Sequence, residues 1–148
     1  MGGPAYIDGD EEKSFDNFYV CRFSYGGYEW TSTEHAYQAM KFIDKEHIER
    51  IRSETDVAVV YFLGQVEYVT HTDEWIKDHE NEKIRLMYEI NKAKFSQNDV
   101  LKKILLFRVG EIEFRGNRFW GKKGKRGLNW GGRILTRIRE ELLSIQEV

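Results

Sequence analysis

The longest periodic stretch, DEWIKDHENEKIRLMYEINKAKF at residues 73–95, sets Ile84, Tyr88, Asn91 and Phe95 at i, i+4, i+7 and i+11. That spacing keeps them on one helical stripe, so the segment is predicted to be helical. The flanking segments are mostly helical too. A helix is predicted from about Thr33 to Asp44 with an apolar stripe of Ala36, Met40 and Ile43. Residues 46–63 suggest one or two short helices ending at Gly64, and SQNDVLKKILLF (96–107) another, capped by Ser96 with Asp99 three residues on. A last helix buries Leu135, Ile138, Leu142 and Ile145. Strand signals are fewer: RFSY and YEW around Gly26-Gly27 read as a hairpin, and EIEFRGNRFWG (111–121) holds a short strand. The fold class is α+β, a mainly helical single domain with a small antiparallel β-sheet near the N-terminus. Residues 1–12, MGGPAYIDGDEE, read as a flexible polar lead-in, and 13–148 as the domain proper.

Composition bounds the function classes. With 41% hydrophobic and 32% charged residues, one proline and no Ser/Gly-rich tract, 148 residues make one soluble domain without linkers or repeats. A net charge of −2 gives no global pull toward nucleic acid or an anionic membrane. Cys21 has no second cysteine to pair with, which suits a reducing compartment. The longest apolar run, VAVVYFLG, falls short of the ~18 residues of a spanning helix, and no stretch resembles a signal peptide. The expected location is the cytoplasm, with no membrane partner. Aromatic residues at 14% exceed what such a core needs, leaving rings to stack on a planar ligand.

One short segment concentrates polar chemistry. In TSTEHAYQAMKF (31–42), helical spacing places Glu34, Gln38 and Lys41 on one face, with Tyr37 beside them. Glu34 and Lys41 lie ~10 Å apart along the axis, too far to pair but suited to opposite sides of a sugar-sized ligand. Thr31-x-x-Glu34 also reads as a capping box, and Lys41 as a solvated lysine. The histidines at 35, 47, 71 and 79 show no ligand spacing, so no metal is expected. G-x-S-x-G, the P-loop and G-x-G-x-x-G are absent. The loop GKKGKRGLNWGG carries Lys122, Lys123, Lys125 and Arg126 among glycines before a helix start. It reads as a phosphate site, a solvated basic loop or a nucleic-acid patch.

KSFDNFYVCRFSYGGYEWTSTEHAYQAMKF, MYEINKAKFSQN and RFWGKKGKRGLNWGGRILTRIREEL resemble, in order across residues 13–142, the successive blocks of the NADAR superfamily, the YbiA-like N-glycosidases. The resemblance implies hydrolysis of the C–N bond between ribose C1 and a base nitrogen, without a cofactor. Two substrate classes are implied: phosphoribosylamino-pyrimidine intermediates of riboflavin synthesis, or ADP-ribosyl-guanine in ADP-ribosylated nucleic acid. The first is favoured for a small stand-alone domain.

Carried onto this sequence, the resemblance implies Glu34, Lys41 and Asn117 as catalytic positions. Glu34 would stabilise positive charge at C1 and handle a proton, and Lys41 would bind phosphate or ribose or form a Schiff base. It implies Asn17, Phe18, Tyr19, Tyr37, Gln38, Trp75, Lys94, Trp120, Gly121 and Lys125 as substrate-binding positions. For Trp75 and Trp120 a core role competes. Asn117 departs from the family pattern, which has Asp there, and an amide carries no proton at neutral pH. Either the acid is dispensable, or Glu111 or Glu113 replaces it, or the protein is a non-catalytic module binding ADP-ribose or NAD.

Overall fold

The computed structural model describes residues 4–146. In chain order the elements are β1 (Ala5–Ile7), β2 (Asp10–Glu11), a 3-10 turn (Lys13–Phe15), β3 (Phe23–Tyr25) and β4 (Tyr28–Trp30). There follow α1 (Thr33–Ala39), α2 (Lys45–Arg52), α3 (Val57–Leu63), α4 (Asp73–Lys77), α5 (His79–Gln97), α6 (Asp99–Phe107), β5 (Ile112–Phe114) and α7 (Trp130–Gln146). The predicted 73–95 stretch is thus two helices, α4 and α5, divided at Asp78. Its side chain leaves α4 to accept a bond from Asn81 N at the start of α5.

α5 is the centre of the molecule, packed against α1, α4, α6, α7 and β3. Contact on several sides widens its buried face beyond one stripe. Leu86, Met87, Ile90, Asn91, Lys94 and Phe95 are buried, while Ile84 and Tyr88 sit only partly covered at its edge.

Two small antiparallel sheets flank this core, ordered β2-β1-β5 and β3-β4. The β3-β4 hairpin follows the expected Gly-Gly turn, where Gly26 and Gly27 have φ of 63° and 87°, a primed-turn geometry. The other sheet corrects the lead-in reading. β1 is its central strand, with Ala5 opposite Phe114 and Ile7 opposite Ile112, and both Ala5 and Ile7 are wholly buried. Their partner strand lies more than a hundred residues away, so no local pattern announces the pairing. Residues 1–3 of the expected lead-in lie outside the described residues.

Four local expectations also change. α1 stops at Ala39 because the chain then turns into a bridge between Phe42 and His71, where Thr72 N donates to Lys41 O at 2.8 Å. Ile43 is therefore exposed. The cap of α1 is Ser32, whose hydroxyl accepts from His35 N at 3.1 Å, in place of the Thr31–Glu34 box. Ser96 lies within α5; Asn98 precedes α6 and donates to Arg22 O and Lys94 O, tying the hairpin to the helices. Ile145, expected inside, is exposed near the end of α7.

Candidate active site

Every residue of α1 is buried, because α2, α3, α5 and β4 pack around it. Polar side chains on such a helix must be bonded internally or stand ready for a ligand. Glu34 and Gln38 are 0% exposed and Lys41 is 4% exposed. Gln38 joins the other two: its Nε2 donates to Glu34 Oε1 at 2.6 Å, and its Oε1 accepts from Lys41 Nζ at 2.5 Å. Gln65 Nε2 reaches the same Gln38 oxygen at 3.5 Å, and Lys41 Nζ reaches Gly64 O at 3.5 Å. The amide holds this place only because residue 64 has no side chain, since a Cβ there would stand 1.9 Å from Gln38 Oε1. Glu34 Oε2 is buried and has no hydrogen-bond partner among the described residues.

Aromatic rings box the amine. Lys41 Nζ lies 4.9 Å from the ring centres of both Tyr37 and Trp75. Tyr37 meets Trp120 edge-on at 5.7 Å and Trp75 at 6.5 Å, and His71 stacks on Trp75 at 6.1 Å. Burial drives the two charged groups toward neutrality from opposite sides. It raises the Glu34 carboxyl, against the Gln38 bond and the Lys41 charge. It pushes Lys41 down to about 8, against Glu34 and with Lys83 adding to the fall. The Tyr37 phenol is raised by burial and again by Glu34, so it stays neutral. A carboxyl and an amine displaced in opposite directions can exchange protons with a substrate near neutral pH.

The other residues singled out by sequence fall into two groups around this centre. Asn17 is buried and its carbonyl accepts from Glu34 N at 2.9 Å, which docks the segment 16–19 on α1. Phe18 and Tyr19 are partly exposed and line a ~460 Å³ groove with Glu11, Lys13, Asp16 and Val20. Lys94 lies fully buried nearby, 5.8 Å from the Tyr19 ring, donating to Asp16 O at 3.1 Å and pushed down to about 8 by burial.

The second group is the loop after β5. Asn117 Oδ1 accepts from Phe119 N at 2.7 Å and Trp120 N at 2.8 Å, fixing the turn that presents Trp120 to Tyr37. Gly121 packs on β5, where a Cβ would stand 2.3 Å from Phe114 O. Lys122 is held by Glu111 at 3.1 Å and Glu113 at 3.7 Å, while Lys125 is exposed. Among the described contacts, none joins Lys125, Glu111 or Glu113 to the Glu34–Lys41 group. Of the histidines, the ring of His35 bonds Ser32 Oγ and Glu54 O, and that of His47 bonds Leu63 O. Sequence reasoning missed Gly64, Gln65 and His71. Gly64 was visible only as a helix stop, and the others reach the site through a loop whose path no local pattern gives.

Comparison with known proteins agrees with this geometry. The NADAR domain model matches residues 6–143. N-glycosidase YbiA of Escherichia coli is 30% identical over 141 residues, covering 93% of this chain and 86% of that protein. A riboflavin biosynthesis protein of Vibrio vulnificus is 36% identical over 149 residues, covering 96% of this chain, which spans only 39% of that protein. The NMR structure of E. coli YbiA matches at a TM-score of 0.74 and 27% identity, over 90% of this chain and 80% of that one. With the same helical core and small sheets, and a family match from β1 into α7, the chain belongs to the NADAR family.

Proposed function

We propose that the protein is an N-glycosidase, a hydrolase of the C–N bond between ribose C1 and a base nitrogen. The substrate class is the phosphoribosylamino-pyrimidines of early riboflavin synthesis. The observation that carries the reading is the Glu34–Gln38–Lys41 chain inside a fully buried helix, with one Glu34 oxygen unpartnered. The names of the E. coli and Vibrio relatives support both the reaction and the substrate class.

In this reading Glu34 faces the charge that develops at C1 and carries the proton. The aminosugar opens to an iminium, and the neutral Lys41 amine adds to C1. The pyrimidine nitrogen takes a proton and leaves as the free amine, giving a C1 imine on Lys41. Water then splits that imine, releasing ribose 5-phosphate and restoring Lys41. Tyr37, Trp75 and Trp120 exclude bulk water from the amine and provide faces for the heterocycle. Asn117 in place of the family's Asp is compatible with an enzyme, because its oxygen serves two backbone amides as an Asp oxygen would. The cytoplasm is the proposed location, as Cys21 suits a reducing compartment; no helix of the described residues is long and apolar enough to cross a membrane.

The test is product analysis. Wild type should release ribose 5-phosphate from a phosphoribosylamino-pyrimidine, and Glu34→Gln should lose about 10²–10⁴-fold in rate. Release of ADP-ribose from ADP-ribosyl-guanine in its place would move the substrate class. Turnover of neither, with retained binding of ADP-ribose, would make the protein a binding module.

A further inference from the structure

The rings around Lys41 are part of a circuit that starts and closes at Lys41 and passes through the first turn of α5. From Lys41 the contacts run to Trp75 at 4.9 Å and from Trp75 to His79 at 6.1 Å, the first residue of α5. One helical turn on, at i+4 from His79, stands Lys83. Its Nζ lies 3.9 Å from the ring centre of Phe119. Phe119 touches Trp120 at 4.6 Å, Trp120 meets Tyr37 at 5.7 Å, and Tyr37 returns to Lys41 at 4.9 Å. Two ammonium groups thus occupy one aromatic rim, Lys41 buried and Lys83 half-buried.

Neither is in ion-pair contact with a carboxylate among the described residues. Glu80 favours the charged form of Lys83 from a distance, against the cost of burial. Two like charges gathered against aromatic faces repel one another unless an anion joins them. The basic glycine loop is a weaker source of that anion contact, because Lys122 is already held by Glu111 and Glu113.

We propose that Lys83 binds the phosphate of the substrate's ribose 5-phosphoryl group, with Phe119 supporting its stem and Lys41 left free for C1. The assignment rests on the N-glycosidase reading for the identity of the sugar, but the anion contact is measurable without turnover. Calorimetry on the intact protein would compare ribose 5-phosphate with ribose, in wild type, Lys83→Gln and Lys83→Arg. Lys83→Gln should weaken ribose 5-phosphate by about 10- to 100-fold, the worth of one charge-assisted hydrogen bond, and leave ribose unchanged. Lys83→Arg should keep most of the preference for phosphate. In turnover, KM for the phosphorylated substrate should rise in Lys83→Gln with kcat little altered.

In binding, any of three results overturns the proposal: no preference of wild type for ribose 5-phosphate, a Lys83→Gln variant that keeps the preference, or one that loses both ligands equally. A Lys83→Gln variant that shifts only the pH limb of Lys41 shows a charge acting on the amine, and also overturns it. The two readings fail separately. Phosphate binding through Lys83 without glycosidic cleavage sinks the hydrolase alone, and cleavage with an unchanged KM in Lys83→Gln sinks the phosphate contact alone.

Discussion

At the scale of single residues, what matters is the protonation of Lys41. Burial sets its amine near 8, where an exposed lysine would be almost wholly charged at neutral pH. If the amine is the nucleophile, kcat should rise as pH passes through about 8 and level off above it, because the neutral form increases with pH. Lys41→Arg keeps a charge that cannot be given up, and should leave no adduct trapped by borohydride during turnover. A flat pH profile across that region would reduce Lys41 to a binding cation. Asn117 is decided by its two amide bonds. Asn117→Asp preserves both and adds charge, so if that charge serves the reaction the rate should rise with little change in KM. Asn117→Ala removes both and should lower kcat/KM about 10-fold or more by freeing the turn that carries Trp120. Equal rates for the Asp and Asn forms, with loss in the Ala form, would identify the position as one of geometry.

Among the elements, α1 shows what a periodic pattern can reveal. The i, i+4, i+7 spacing of Glu34, Gln38 and Lys41 was readable because helical geometry fixes it within two turns. What Gln38 does there was not readable, because its place depends on Gly64 at the end of α3. Nor was the cap: the box pattern pointed to Thr31, whereas Ser32 caps α1 two residues after β4 ends at Trp30. Gly64 itself has an ordinary φ of −76°, so an alanine there strains no backbone. Its methyl would instead meet the Gln38 amide. Gly64→Ala should therefore cost about 1–3 kcal/mol of stability and uncouple Glu34 from Lys41, seen as a lower Tm together with a large fall in kcat. A thermally stable, fully active Gly64→Ala would mean that Gln38 can move without consequence. α5 teaches the complementary lesson: its helicity was plain, but its bounds at His79 and Gln97 were not, and the width of its buried face depends on neighbours from both ends of the chain.

For the molecule as a whole, a second buried amine shapes the response to pH. Lys94 is fully buried in α5 and pushed down to about 8, from a value of 10.5 in the unfolded chain. Between those values the unfolded state binds more protons than the folded one, so stability contributed through Lys94 rises with pH across about 8 to 10.5. Below about 8 the folded protein bears the cost of a buried charge. Lys94→Met should remove that part of the slope, so in denaturant melts the variant's advantage over wild type should be greatest at pH 7 and shrink toward pH 10. A constant difference across the range would place the Lys94 ammonium in better solvation than its burial indicates.

The central position of β1 carries a consequence for biosynthesis. Ala5 and Ile7 leave the ribosome more than a hundred residues ahead of their partners Phe114 and Ile112. At ~5–20 residues per second, β1 waits on the order of 5–20 s with one edge unmatched. During that interval its apolar side chains have only β2 and the emerging helices for cover, and an open strand edge attracts other chains. β1 is therefore the segment that a holdase acting during synthesis should shield until β5 emerges to complete the sheet.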